Sequence, residues 1–267
     1  MLFSEVTRKQ AFLTHLGVST AIFAVLCLLI VFVWYPDFYF FTDGGVRAIA
    51  TVFFVDVVLG PGLTLLVFKP GKKFLKFDIG AILVLQFTAL VWGVSNVYSE
   101  RPAASVYYQG SLTCIAQPDA GNMDLPAIVS GPSGRQRLAF LQRPDTVDGL
   151  LEFTKQAYAH NSSAVYYYSD RIVPLDQRVR ERLDKYELDW DWLLQNEPDY
   201  AARVQQFIHS KGYTARHYKL VPLRCRYQQP LAVLDTRVMR VVDWMQSPAY
   251  LITRALDEPL PLSTALR

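Results

Sequence analysis

The side chains that most often carry chemistry are few and scattered in this sequence. Its four histidines, His15, His160, His209 and His217, stand far apart. None has the spacing to Cys, Asp or Glu that a metal site needs. Ser130-Gly-Pro-Ser-Gly134 is a turn cluster, because no strand-turn-helix pattern frames it as a nucleophile elbow. There is no phosphate loop and no dinucleotide fingerprint. Asp184, Glu187, Asp189 and Asp191 gather acid, but without the ligand order and central glycine of a calcium loop they read as a solvated helix face. The expectation is a chain that is not an enzyme and uses no cofactor or metal.

One carboxylate is out of place. Asp56 lies near the middle of Val46–Phe68, VRAIATVFFVDVVLGPGLTLLVF, a stretch long enough to cross a bilayer. A charge at that depth is costly unless it faces protein, water or a cation. Arg47 is nine positions away, or about 180° around a helix, so the two cannot pair along it. Two readings stay open. Asp56 hydrogen-bonds inside a helix bundle, with Gln86 or Thr88 as donor, or it is a docking point for a polar or cationic group on another membrane helix. Gly60-Pro61-Gly62 follows one turn later. It removes a backbone donor and two side chains, so it can kink the helix and admit a neighbouring backbone or a partner helix.

The elements that position these residues are apolar. Of 27 Lys+Arg and 24 Asp+Glu, residues 1–100 hold 7 and 6, and residues 101–267 the remaining 20 and 18. A polar head, 1–15, precedes a charge-free stretch, 16–35, that is too long for a signal-peptide core and lacks a cleavage site. It ends on Trp34-Tyr35-Pro36, interfacial aromatics followed by a helix stop. The second span is 46–68 and the third 79–97, between Asp78 and Tyr98. The head and the loop Lys69–Lys76 together carry six Lys or Arg, and the turn 36–45 carries none. The positive-inside rule then puts the amino terminus and Lys69–Lys76 in the cytoplasm, that loop against anionic lipid, and residues 99–267 on the far side, which in a Gram-negative cell is the periplasm. With a formal net charge of +3 and no basic run with interleaved aromatics, nucleic acid is not an expected partner.

The outer part reads as α+β. Strands are expected at Val106–Tyr108, Leu112–Ile115, Arg137–Leu141, Ala164–Tyr168, His217–Arg226 and Leu231–Asp235, with Val238–Trp244 returning as a hairpin across Asp235-Thr236. Helices are expected at Asp145–His160 with Asp145 as N-cap, at Leu175–Tyr186, at Asp189–Leu194, and at Pro198–Lys211 closed by Gly212. Pro118–Gly134 is loop, and the tail from Gln246 is loosely held. Cys27 lies in the first span, while Cys114 and Cys225 are either bridged, as an oxidising compartment permits, or two separate buried thiols. The fold class is thus a three-span α-helical membrane bundle followed by an α+β periplasmic domain.

The membrane part resembles the TfpX/TfpZ group of type IV pilin accessory proteins, which includes the fimbrial assembly protein FimB. The resemblance rests on Tyr35-Pro36, Gly44-Gly45, Val55-Asp56-Val57-Val58-Leu59-Gly60-Pro61, Leu63-Thr64-Leu65 and Phe68-Lys69-Pro70-Gly71-Lys72-Lys73. Lys76-Phe77-Asp78, Gln86, Ala89, Gly93 and Arg101-Pro102 complete it, and Tyr166–Tyr168, Leu220–Leu223, Leu231–Asp235 and Val241-Val242 extend it thinly. It implies an inner-membrane accessory or chaperone role toward a major type IV pilin. On that expectation Asp56, Gly60, Pro61, Gly62 and Gln86 receive the pilin's apolar helix, and the outer domain meets the pilin head through Ala164–Tyr168. The rival expectation is a membrane-anchored periplasmic sensor or regulator of envelope assembly without pilin contact.

Overall fold

The computed structural model describes residues 6–121, 136–159, 164–183, 188 and 190–247. His160, Asp184, Glu187, Asp189, the turn Ser130–Gly134 and the tail beyond Ser247 lie outside these residues. The chain divides into two compact units, Met1–Arg101 and Pro102–Arg267.

The first unit is built on three helices of 27, 23 and 25 residues, each long and apolar enough to cross a membrane. The first begins at Arg8, where Thr7 and Gln10 form a capping box that satisfies orphan N–H groups. It runs to Leu29 and continues as a π-helical turn, Ile30–Trp34. A short helix, Tyr39–Thr42, occupies the stretch read as a turn. The second long helix has three parts: Gly45–Val52 is α-helical, Phe53–Leu59 widens to π spacing, and Gly60–Val67 returns to α. Gly60-Pro61-Gly62 therefore does not end the helix. Pro61 sits at the start of the final α segment, and the wide turn before it takes up the missing donor and the proline ring. The third helix, Leu75–Ser99, starts four residues earlier than its apolar core, in a turn where Lys72 pairs with Asp78 at 2.6 Å.

The helices are antiparallel neighbours in sequence, and polar contacts fix their ends. Arg8 donates from Nε to the Leu65 carbonyl and from Nη2 to that of Leu66 at 3.3 Å. These carbonyls belong to the last turn of the second helix, where no intrahelical donor is available and a cation is favoured. At the opposite end, Tyr35 Oη donates to the Val97 carbonyl at 2.9 Å, and the rings of Trp34 and Tyr98 meet edge to face at 5.4 Å.

The second unit is a seven-stranded mixed sheet: β1 Pro102–Tyr108, β2 Ser111–Ala116, β3 Leu138–Leu141, β4 Ile172–Pro174, β5 Tyr218–Arg224, β6 Leu231–Asp235 and β7 Arg240–Met245, in the order β4-β3-β1-β2-β5-β6-β7. β1–β3 and β2–β5 pair in parallel and the rest antiparallel. Gln109 (φ 46°) and Gly110 (φ 81°) join β1 to β2, the two positive-φ positions of a type I′ hairpin. Gln136, just before β3, exchanges two hydrogen bonds of 2.8 Å with the backbone of Val241 in β7. Gln177, just after β4, donates to the Thr236 and Arg237 carbonyls of the β6–β7 turn. The sheet therefore curls until its first and last strands are clasped by two glutamines.

Several sequence expectations are corrected here. Ala164–Tyr167 is a helical turn and not a strand, because it drops Val165 (fully buried) into a core with Phe153, Ile115 and Leu141. Tertiary packing overrides the β propensity of Val and Tyr there. Tyr168, just after it, stacks on Phe153 at 4.0 Å. Leu175–Tyr186 is not one helix. Its described part is a 3-10 turn, Gln177–Val179, and a short helix, Arg180–Leu183, because Asp176 folds back to accept the Arg178 N–H. The helix read as starting at Asp145 runs Val147–Ala159, and Thr146 accepts the Gly149 N–H in the capping role. Pro118–Gly121 belongs to a short helix, Gln117–Gly121.

The helix Pro198–Lys211 has the predicted bounds, proline first and Gly212 (φ 74°) just past its end. Gly212 N–H and Tyr213 N–H return to the His209 and Ile208 carbonyls, a Schellman closure. A second core beneath it joins Tyr200, Ala201, Val204, Leu193 and Leu231. Cys114 in β2 and Cys225, one residue past β5, are disulfide-bonded with Cα atoms 4.8 Å apart. The pair lies on from the parallel register Thr113↔Arg224.

Candidate functional site

The candidate site is a polar seam inside the first unit. Asp56 stands in the π-helical stretch of the second helix and is 1% exposed. The widened turn and the four-residue step to Gly60 and then Thr64 put all three on the buried face. Across from them, His15 and Ser19 are also four residues apart on the first helix, and Ser19 is buried. From the third helix comes Gln86.

Gln86 Nε2 donates to Asp56 Oδ1 and to the Asp56 carbonyl at 3.2 Å, and it lies 3.2 Å from Ser19 Oγ. Ser19 Oγ donates to the same Asp56 Oδ1 at 3.3 Å. One level toward the Arg8 end, His15 Nδ1 and Thr64 Oγ1 are 2.6 Å apart. The seam thus knits three helices around one carboxylate. It is served unevenly: both donors converge on Oδ1, and the buried Oδ2 of Asp56 has no hydrogen-bond partner, nor does the buried Oε1 of Gln86. An unmatched buried acceptor costs about 1–3 kcal/mol.

The other predicted site residues divide. Gly60 and Pro61 are buried. A Cβ on Gly60 would lie 2.0 Å from Gln86 Oε1, so what approaches this glycine is a side-chain amide and not a backbone. Gly62 has nothing within 4 Å of the place its Cβ would take, which leaves it open on the outer side. Thr88 is not a donor to Asp56; its hydroxyl returns to the Val84 carbonyl of its own helix. Ser19, His15 and Thr64 belong to the seam although sequence reasoning did not single them out. The signal was present: a polar pair four apart in an apolar run, and a threonine eight residues after the aspartate.

No family model matches the chain, and no solved structure matches it. It is similar to fimbrial assembly proteins of Dichelobacter nodosus. With the serogroups C1 and C2 protein it is 32% identical over 114 residues, which is 42% of this chain and 87% of that one. With the serogroup I protein it is 32% identical over 114 residues, again 42% of this chain but 44% of the relative, so the match spans less than half of that protein's length. The serogroup E1 protein is 31% identical over the same shares.

Proposed function

The chain belongs to the family of fimbrial assembly proteins, and on that premise we propose that it is an inner-membrane accessory protein of the TfpX/TfpZ type, one that holds a type IV pilin before the pilin enters the fimbria. The three apolar helices span the membrane with the Arg8 end and Lys69–Lys76 in the cytoplasm and the sheet unit in the periplasm. The lysine-rich loop and the turn 36–45, which has no Lys or Arg, support this orientation. The role is holding and not catalysis.

The observation that carries the proposal is the half-satisfied carboxylate. Inside an apolar bundle a lone acid is retained only where a group of opposite or complementary character meets it. Here the chain's own donors reach one oxygen and leave Oδ2 of Asp56 and Oε1 of Gln86 unmatched. The apolar helix of a stored pilin, with a cationic amine or another donor near its start, completes the site. Because Asp56 is buried, docking has the Gln86 amide move aside. It is seated against a glycine, with no Cβ to lock it. Gly62, open on its outer face, gives the incoming helix a close approach.

The test replaces Asp56 with Asn and with Leu and measures surface fimbriae and co-purification of the pilin from membranes. Asn keeps an acceptor and loses the charge, and Leu removes both. The expected order of pilin recovery is wild type, then Asn, then Leu, with surface fimbriae falling in parallel. Unchanged recovery for both variants rejects this site.

A further inference from the structure

The sheet unit holds an open cleft of about 750 Å³, within the size range of small-ligand and peptide sites. Its floor is apolar: Trp190, Ile208 and Leu220 are half-buried and pack against the core of Tyr200, Ala201 and Val204. Two exposed cations reach it from separate elements, Arg180 from the short helix after β4 and Arg216 from the loop after the Schellman turn, and Lys219 of β5 also lines it. Among the described residues no carboxylate lines it. Acids on the neighbouring strands are engaged elsewhere. Asp243 is held by Lys211 at 3.5 Å and by the Tyr213 hydroxyl at 3.2 Å, and Asp235 is held by Arg237 at 2.8 Å.

We propose that this cleft binds a peptide segment in which carboxylates alternate with large apolar side chains. The apolar floor takes the alternating large side chains, and cations on separate elements meet carboxylates spaced along an extended chain. A compact phosphate would use a single cluster of donors and leave the Trp190 floor empty. The inference stands on the sheet unit alone and is independent of the Asp56 reading, since no pilin and no residue of the helical unit enters it.

The test uses the full chain in nanodiscs of zwitterionic lipid and a fluorescent synthetic peptide alternating glutamate and leucine, read by anisotropy. Its glutamine-for-glutamate counterpart is the control. Saturable binding at least about tenfold tighter for the glutamate peptide is expected, with affinity falling as salt rises. Arg180→Glu and Arg216→Glu each weaken it about tenfold or more, and Arg216→Lys does not. Both positions are exposed. Should a reversal disturb folding by circular dichroism, Arg180→Gln and Arg216→Gln carry the same comparison at smaller amplitude. Equal binding of the two peptides overturns the proposal. So does indifference to the arginine variants, or capture of phosphatidylglycerol vesicles, lost in Arg216→Glu, without peptide binding.

Discussion

The side-chain amide of Gln86 fills the space that Gly60 leaves vacant: a Cβ at residue 60 would come within 2.5 Å of three atoms of that amide. The same amide is the main donor to Asp56. A glycine on one helix thus sets whether a glutamine on another can reach an acid one turn away. Gly60→Ala is expected to expel Gln86 and destabilise the helical unit by about 1–3 kcal/mol. In a Gln86→Ala background the same change costs little, because the atoms it collides with are gone. SDS titration of the purified protein in mixed micelles measures both, and equal costs in the two backgrounds contradict the relationship.

In the sheet unit, Asp235 accepts from both the backbone N–H and the guanidinium of Arg237. These bonds, the side-chain one foremost, hold its carboxyl below the ordinary carboxylate range. Its folded pKa is depressed relative to an unfolded value of about 3.9, so the stability it contributes is complete above that value and is lost as pH falls through the folded one. Urea midpoints of the sheet unit, followed in the intact chain, should be flat near neutrality and decline in acid. Asp235→Asn should lower the neutral plateau and flatten the decline.

The Cys114–Cys225 bridge ties β2 to β5 across 111 residues of chain. Removing a native bridge that closes so long a loop typically costs about 2–5 kcal/mol. Reductant, or Cys114→Ser with Cys225→Ser, should lower the urea midpoint of the sheet unit accordingly and leave the SDS profile of the helical unit unchanged.

Gln109 holds φ 46° at the first central position of the β1–β2 turn. A long side chain is poorly suited to that conformation, which Asn and Gly adopt more easily. Gln109→Asn and Gln109→Gly are each expected to stabilise the unit by about 0.5–1 kcal/mol, read as a raised thermal midpoint.

What the sequence makes legible follows from how local each signal is. The helix Pro198–Lys211 is readable because Pro198 and Gly212 mark its ends by their own backbone chemistry. The three apolar helices are readable from length and charge, and Gln86 from being a polar side chain in an apolar run. Ala164–Tyr168 misleads because its propensity is for strand, whereas its placement is decided by Phe153, a residue on another element. The sheet order is illegible for the same reason: β1–β3 and β2–β5 are parallel pairs joined by long crossovers that no local pattern announces. Ser19 and His15 are overlooked because the first helix carries no Asp, Glu, Lys or Arg beyond Lys9 to draw attention, and their partners, Asp56 and Thr64, lie more than thirty residues on.

The glutamine clasp has a bearing on the company this protein keeps. A rim strand offers its backbone to any passing chain that is ready to extend. At Val241 that offer is withdrawn, since both backbone groups are already taken by Gln136. At that point β7 cannot be lengthened by a further strand, so whatever meets the sheet unit there must do so through side chains.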